Sequence, residues 1–506
     1  MDISSLSFIL YIIIPIVIYW ALPKQYQWIS LLLYSIVFYF LNAVPYTFVY
    51  FAVSVATVFF STLYFSRENV SESRKKLVLI ATLVVNIGLL AVLKYTNFAI
   101  HTWNILFGGF GYTKSTVSWP ASLAISFYTL QIVSYLLDCY WGLVTPEKNI
   151  LKVALFTGYF PQMISGPISR YSDIGTQLFE EHRFDYNRAT MGMKRIAWGL
   201  VKKLAISNRL AIIVDYMWNN PQAYSGTFIW IAAVGYIFQL YTDFSGCMDI
   251  LFGISECFGI KLPENFRAPF LSKTIQEFWR RWHITLGTWL RDYVMNPLQK
   301  SKMMRNIGEK SKKAFGKKKG RKVPVYLSML ALWLAMGLWH GNSWKYIIGE
   351  GLWFWLVIVL SQMLTPAFDK WKTALKINED SFAWKAFQVV RTLLIYAFGM
   401  LFFRAASFTD ACMRIKSGLT FKISLAPIVE LLKHIYGNIG ILGCIIMLIA
   451  FILMVVIDKY IYNDIDFFEK LKEKNMAVRW GVYILLVALI VLSAGVQPQA
   501  FAYAQF

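Results

Sequence analysis

Charge and histidine are both scarce in this 506-residue chain. Charged residues make up 15% against 57% hydrophobic, and the mean hydropathy is +0.50. Soluble domains carry about 25% charged residues, so a string of water-solvated domains is excluded. Most of the chain is left to face lipid or to be buried between spans. Five cysteines, at 139, 247, 257, 412 and 444, have no paired spacing and indicate neither a disulfide framework nor a zinc site; no metal is expected. Acidic residues are few as well: 28 Asp and Glu against 50 Lys and Arg give a net charge of +22. The distribution of that excess argues against nucleic acid as a partner. Eleven Lys/Arg and one Glu fall in 300–322, and the rest is spread through short segments such as 67–76 and 370–376, as in cytoplasmic loops under the positive-inside rule. The 300–322 run reads as a solvated loop beside anionic head groups.

What the chain does have is long apolar runs, and these predict an all-α, polytopic transmembrane bundle of about 11–14 helices, some broken or re-entrant. Spans are expected near 5–22, 27–42, 45–65, 77–95 and 121–142, then at 325–339, 346–365, 384–403, 439–457 and 480–496. Met1-Asp2-Ile3-Ser4-Ser5 lacks the basic start of a cleaved signal, so the first apolar run is expected to stay as a span. Arg67, Arg74, Lys75 and Lys76 place the loop after the third span inside the cell, and 95–119 then reads as an outer loop. The run 153–168 contains Pro161, Gly166 and Pro167 and is expected to be broken. Helices are also expected over 191–218 and 227–241. One transmembrane domain, 1–496, and a tail, 497–506, emerging on the extracytoplasmic face complete the organisation. There is no internal repeat and no low-complexity linker.

Two of the five histidines stand directly after tryptophans, in Trp282-His283 and Trp339-His340. The first belongs to a stretch in which Phe278, Trp282, Leu286, Trp289 and Tyr293 recur at helical spacing. The second ends the apolar run 325–339. An ionisable residue at membrane depth is a functional candidate by default, whereas a hydrogen-bonded core histidine is the bland reading of either. His101, His182 and His434 lack comparable context. Asp138 and Asp243 lie at or near helix ends; each has either a structural partner, such as an arginine or serine, or lines a substrate funnel.

Six stretches in order carry a resemblance. They are Phe160-Pro161-Gln162 with Gly166-Pro167-Ile168, the run Tyr241-Thr242-Asp243-Phe244-Ser245-Gly246, and Pro263-Glu264-Asn265-Phe266-Arg267-Ala268-Pro269-Phe270. The others are 278–293, Trp339-His340-Gly341 and Phe402-Phe403-Arg404-Ala405. Together they resemble the membrane-bound O-acyltransferase family, in the bacterial branch that includes the alginate O-acetyltransferase membrane subunit, over about 125–496. The resemblance implies a ring of helices with funnels meeting at a central catalytic tunnel, His340 as the catalytic histidine and His283 as the second, less uniform one. Span counting puts His340 near the outer end of its run; a central position requires that run to be tilted or broken.

Acyl transfer to a hydroxyl needs a base, for which neutral imidazole is suited near pH 7, and donors for the oxyanion. His340 fits the first role. His283, the indoles of Trp339 and Trp344, and Asn342 are alternatives for the second, and His283 either orients the donor or packs at the interface. The implied donor is acetyl-CoA, used as a substrate with no permanently bound cofactor; the 300–322 run is an alternative dock for its phosphates or for an acidic partner. The terminal Phe501-Ala502-Tyr503-Ala504-Gln505-Phe506 resembles an acyl-carrying tyrosine motif of the same systems, with Phe501 and Phe506 holding the tail; the alternative is an aromatic plug at the interface. The expected activity is that of a bacterial plasma-membrane O-acetyltransferase subunit. It would pass acetyl outward through His340 and Tyr503 to an extracytoplasmic partner of the SGNH or a similar serine type, for O-acetylation of a cell-surface polysaccharide. Transfer of D-alanine to teichoic acid and a transporter are the alternatives.

Overall fold

Where a chain presents apolar side chains outward, its backbone polar groups have to be satisfied within each segment, and helices are the economical answer. The computed structural model, which describes residues 6–120, 123–420 and 424–495, is all-α; among those residues the only strand-like pairing is an isolated bridge between Phe266 and Trp282. Among the described residues six helices are long and apolar enough to cross a membrane, beginning at Pro45, Glu72, Val323, Trp344, Phe382 and Gly440, and Tyr11–Ala21 and Met476–Val491 are shorter apolar helices. Gly440–Tyr462 shows the inverted pattern of a lipid-facing span. Gly443, Ile446, Ala450 and Met454 are buried, while Ile441, Leu448, Ile452 and Val455 are exposed. The protein is a multi-pass membrane protein.

Element ends follow local chemistry. Ser381 and Asn475 cap their helices by accepting from the backbone N–H groups of Trp384 and Val478, satisfying donors that a helix start leaves open. Pro324 opens Val323–His340, where a missing N–H costs nothing. The expected break in 153–168 is present: Ile150–Gly158 and Phe160–Ser165 are separate helices, and the Gln162 side chain donates to the Pro167 carbonyl across the turn.

Three expectations are corrected. The basic run is not a loop: Lys302–Gly320 is a helix, capped by Ser301 and kinked at Gly316, which has a positive φ. The outer loop expected from 95 begins later, because Glu72–Phe107 is one helix. Asn97 and Asn104 each donate to and accept from the backbone of the returning chain, at Val117 and Lys114. The helix expected to end at 241 runs on, as Thr227–Cys257.

The chain divides into two compact units, residues 1–196 with 248–263, and residues 197–247 with 264–506. His283 and His340 both lie in the second. That unit also contains three π-helical segments, Val201–Ser207, Arg291–Met295 and Ile347–Leu352. Such segments are uncommon and gather at functional sites.

Candidate active site

The amphipathic spacing across 278–293 is real, but the backbone is not one helix. Ile275–Arg281 stops, Trp282 is extended, and His283 adopts a left-handed conformation (φ 47°) as the cap of Ile284–Leu290. A histidine in that region costs energy unless its surroundings fix it. Asn265 does the fixing. Its Oδ1 accepts from the Thr285 N–H (3.1 Å) and the Thr285 hydroxyl (2.9 Å), and lies 3.3 Å from Nδ1 of His283. Its backbone carbonyl accepts from Ile284 N–H, and Arg267 N–H donates to Arg281 O. The 263–270 motif is thus a clamp on the His283 corner. Phe244 stands edge-on to the His283 ring at 5.1 Å. His283 lies outside the six long spans; burial, and secondarily His340, push its imidazole well below the ordinary histidine range, so the ring is neutral.

His340 is the last residue of an unbroken helix, Val323–His340, so the break allowed for in its run is absent. It is 3% exposed and His283 is 1% exposed. Their ring centroids are 6.0 Å apart and the ring planes are steeply inclined, at 67°. Trp339 lines the pair, 4.9 Å from His340 and 5.5 Å from His283, and Phe403 closes the other flank at 5.7 Å. Nδ1 of His340 lies 3.0 Å from the Met336 carbonyl and 2.8 Å from Oε2 of Glu350. A carbonyl can only accept, so Nδ1 carries the proton and Nε2 is the basic nitrogen. The chain leaves the helix extended at Gly341, where a Cβ would collide with the Tyr346 ring, so the turn beside the histidine requires glycine.

Two further motifs of the same unit, 241–246 and 402–405, are held by polar contacts of their own. Tyr241 donates to both oxygens of Asp458 (3.1 and 2.9 Å). Asp243 pairs with Lys203 at 2.5 Å, both side chains 2% exposed. Ser245 accepts from Lys202 at 3.0 Å. Removing one member of a buried ion pair typically costs about 3–5 kcal/mol, so Asp243 is tied to the fold. Its partner is a lysine in a π-helical turn where an arginine or serine was expected. Lys345 donates to the carbonyls of Phe403 and Ala405, fixing the loop behind the Phe403 ring, while Arg404 pairs with Asp215 at 2.5 Å.

Of the residues singled out by sequence, the structure brings together His340, His283 and Trp339. Asn342 and Trp344 are exposed beyond the helix end, and Asp243 is engaged with Lys203. Tyr503, Phe501 and Phe506 lie outside the described residues. Sequence reasoning missed Asn265 as a clamp, Lys203, Lys345 and Glu350. For Glu350 a signal existed: it is a lone carboxylate in an apolar run ten positions after His340. Among the described residues no group of three or more His, Cys, Asp or Glu is placed to hold a metal.

Comparison with known proteins covers much of the chain. The family model for the membrane-bound O-acyltransferases matches residues 147–309, a range that includes His283 and ends before His340. A probable alginate O-acetylase of Pseudomonas syringae pv. tomato is 30% identical over 408 residues, 79% of this chain and 72% of the relative. A peptidoglycan O-acetyltransferase of Helicobacter pylori is 33% identical over 300 residues, 54% and 53% of the two chains. A teichoic acid D-alanyltransferase of Bacillus subtilis is 30% identical over 292 residues, 56% and 69%.

Proposed function

The chain belongs to the membrane-bound O-acyltransferase family and is an O-acyltransferase; we propose that it takes acetyl from acetyl-CoA on the cytoplasmic face and delivers it outward for O-acetylation of a cell-surface polysaccharide. The observation that carries this reading is the buried imidazole pair, with the Nδ1 proton of His340 held by the Met336 carbonyl and Nε2 as its basic nitrogen. In the proposed step Nε2 takes the proton of an attacking hydroxyl. The oxygen adds to the thioester carbonyl, and collapse of the tetrahedral intermediate expels the CoA thiolate, which recovers the proton from the imidazolium.

The first acceptor in this reading is the phenol of Tyr503. Its pKa of about 10 makes it easier to deprotonate than a sugar hydroxyl, and the aryl ester formed remains activated for transfer to a serine of an extracytoplasmic partner. Only the acyl group then crosses the membrane. The acetylases and the acetyltransferase among the relatives support acetyl as the group. The bacterial inner membrane and an extracytoplasmic C-terminus belong to the same proposal, which rests on the basic 300–322 segment facing the cytoplasm.

Sidedness tests it. Radiolabelled acetyl-CoA added to inside-out vesicles is expected to label the chain, and the same donor outside right-side-out vesicles is not. Labelling from the outer face alone would overturn the donor assignment. Labelling only by D-alanine on a carrier protein would replace acetyl by D-alanyl.

His283→Ala is expected to be milder than His340→Ala, mostly raising the acetyl-CoA requirement, and Asn265→Ala to act in the same direction with a smaller effect. Removing an acceptor shared by three donors costs about 1–3 kcal/mol, and the freed His283 corner raises the KM for acetyl-CoA more than it lowers kcat. Steady-state kinetics with a thermal melt in detergent check this; an unchanged KM with a lowered melt would make the clamp purely structural.

A further inference from the structure

The carboxylate of Glu350 has no part in the step just described, yet it is the group nearest the nitrogen of His340 that faces away from the reacting edge. Both side chains are buried, at 2% and 3% exposure, and the Oε2 to Nδ1 distance is 2.8 Å. Among the described residues no lysine or arginine pairs with Glu350, and its ion-pair counterpart is His340 alone. Oε2 makes no hydrogen bond among the described residues, so its contact with Nδ1 is one of charge and proximity. Isolated buried carboxylates are expensive, and this one lies in the π-helical turn Ile347–Leu352. The turn is held against the His340 helix by close backbone approaches: a Cβ on Gly337 would come within 2.7 Å of the Tyr346 carbonyl, and one on Gly351 within 2.9 Å of the Trp333 carbonyl. The turn sets the carboxylate at the imidazole edge.

We propose that Glu350 is a positioning residue for acyl transfer. It stabilises by its charge the imidazolium that forms on His340 when Nε2 takes the hydroxyl proton, while the Met336 carbonyl holds the Nδ1 proton. This rests on the reading of His340 as the base. The proton balance is simple: Nδ1 keeps its proton throughout, Nε2 gains one from the hydroxyl and returns it to the leaving thiolate, and Glu350 neither gains nor loses one. The arrangement parallels the buried carboxylate behind the histidine of a catalytic triad, but here a backbone carbonyl already fixes the tautomer. The carboxylate's share is therefore expected to be a part of the ~10²–10⁴-fold that a general base supplies as a whole.

The test is Glu350→Gln in the full-length protein reconstituted in liposomes, with acetyl-CoA as the probe. Glutamine keeps the shape and removes the charge. The expected result is a kcat lower by about 10–100-fold, a KM for acetyl-CoA within about twofold, and a larger solvent isotope effect on kcat, because proton transfer then limits turnover. Glu350→Asp is expected to recover part of the rate. In the double variant with His340→Ala, Glu350→Gln should cost nothing further, since a group that acts through the imidazole has nothing left to act on. Wild-type kcat in Glu350→Gln, or a loss carried by KM and thermal stability with no isotope effect and no recovery by aspartate, would overturn the proposal. His340→Ala assayed alongside separates the two readings. If it is inactive while Glu350→Gln is fully active, only the role of Glu350 fails; if it retains normal turnover, the base assignment itself has failed.

Discussion

His340→Ala is expected to abolish acyl transfer while the protein still inserts and folds. The loss of the base alone removes roughly 10²–10⁴-fold in rate. The imidazole is also the group around which Met336, Glu350, Trp339 and Phe403 are arranged. The helix Val323–His340 ends at this residue, so its backbone is expected to form in the variant, with a lowered melt because the buried Glu350 loses the imidazole beside it. The check is a paired measurement of surface-polymer acetylation and of folded protein recovered in detergent. Near-normal acetylation by a well-expressed variant would remove His340 from the mechanism.

Tyr503→Phe is expected to have an effect as large, by a different route. Phenylalanine keeps almost all the apolar and aromatic surface of tyrosine and loses only the hydroxyl. If the tail were an aromatic plug, the change would cost no more than a hydrogen bond, on the order of 1 kcal/mol, and acetylation would persist. If Tyr503 carries the acyl group, the substitution removes the only nucleophile at that position, and transfer to the polysaccharide stops while thioester binding does not. Phe501→Ala and Phe506→Ala should give intermediate losses, because the carrier reading needs both rings to dock the tail. Polymer acetylation and intact mass after incubation with acetyl-CoA decide between the two. Full activity in Tyr503→Phe would leave direct transfer from thioester to acceptor through His340 as the mechanism.

The sequence makes the family and the two histidines legible because their neighbours are chemically distinctive: tryptophan before each, and glycine after His340 where only glycine clears the Tyr346 ring. Apolar runs likewise predict the spans, since lipid imposes length and composition together. The backbone at His283 escapes such reading. Phe278, Trp282, Leu286 and Trp289 are all buried, so the helical spacing of the core is preserved across a corner where the chain is not helical. What makes the corner is a side chain 18 residues upstream, Asn265, and tertiary hydrogen bonds of that kind leave no periodic trace. The 300–322 run was misread for the opposite reason: lysine and arginine favour helix almost as well as leucine, and charge density alone does not distinguish a solvated loop from a solvated helix. Glu350 is a lone carboxylate in an apolar stretch and Lys203 is one of the adjacent pair Lys202-Lys203, and the partner of each lies in another segment. Their π-helical turns depart too little from α-helical spacing to be seen in sequence.

The central claim is that this chain opens the acyl thioester itself, with His340 as the base. Rapid-quench measurement of CoA release from acetyl-CoA by the purified, reconstituted chain, without any partner protein, tests it most directly. The account predicts a burst of CoA stoichiometric with the wild-type protein and none above background with His340→Ala at the same donor occupancy. A burst of equal size and rate in both would contradict it.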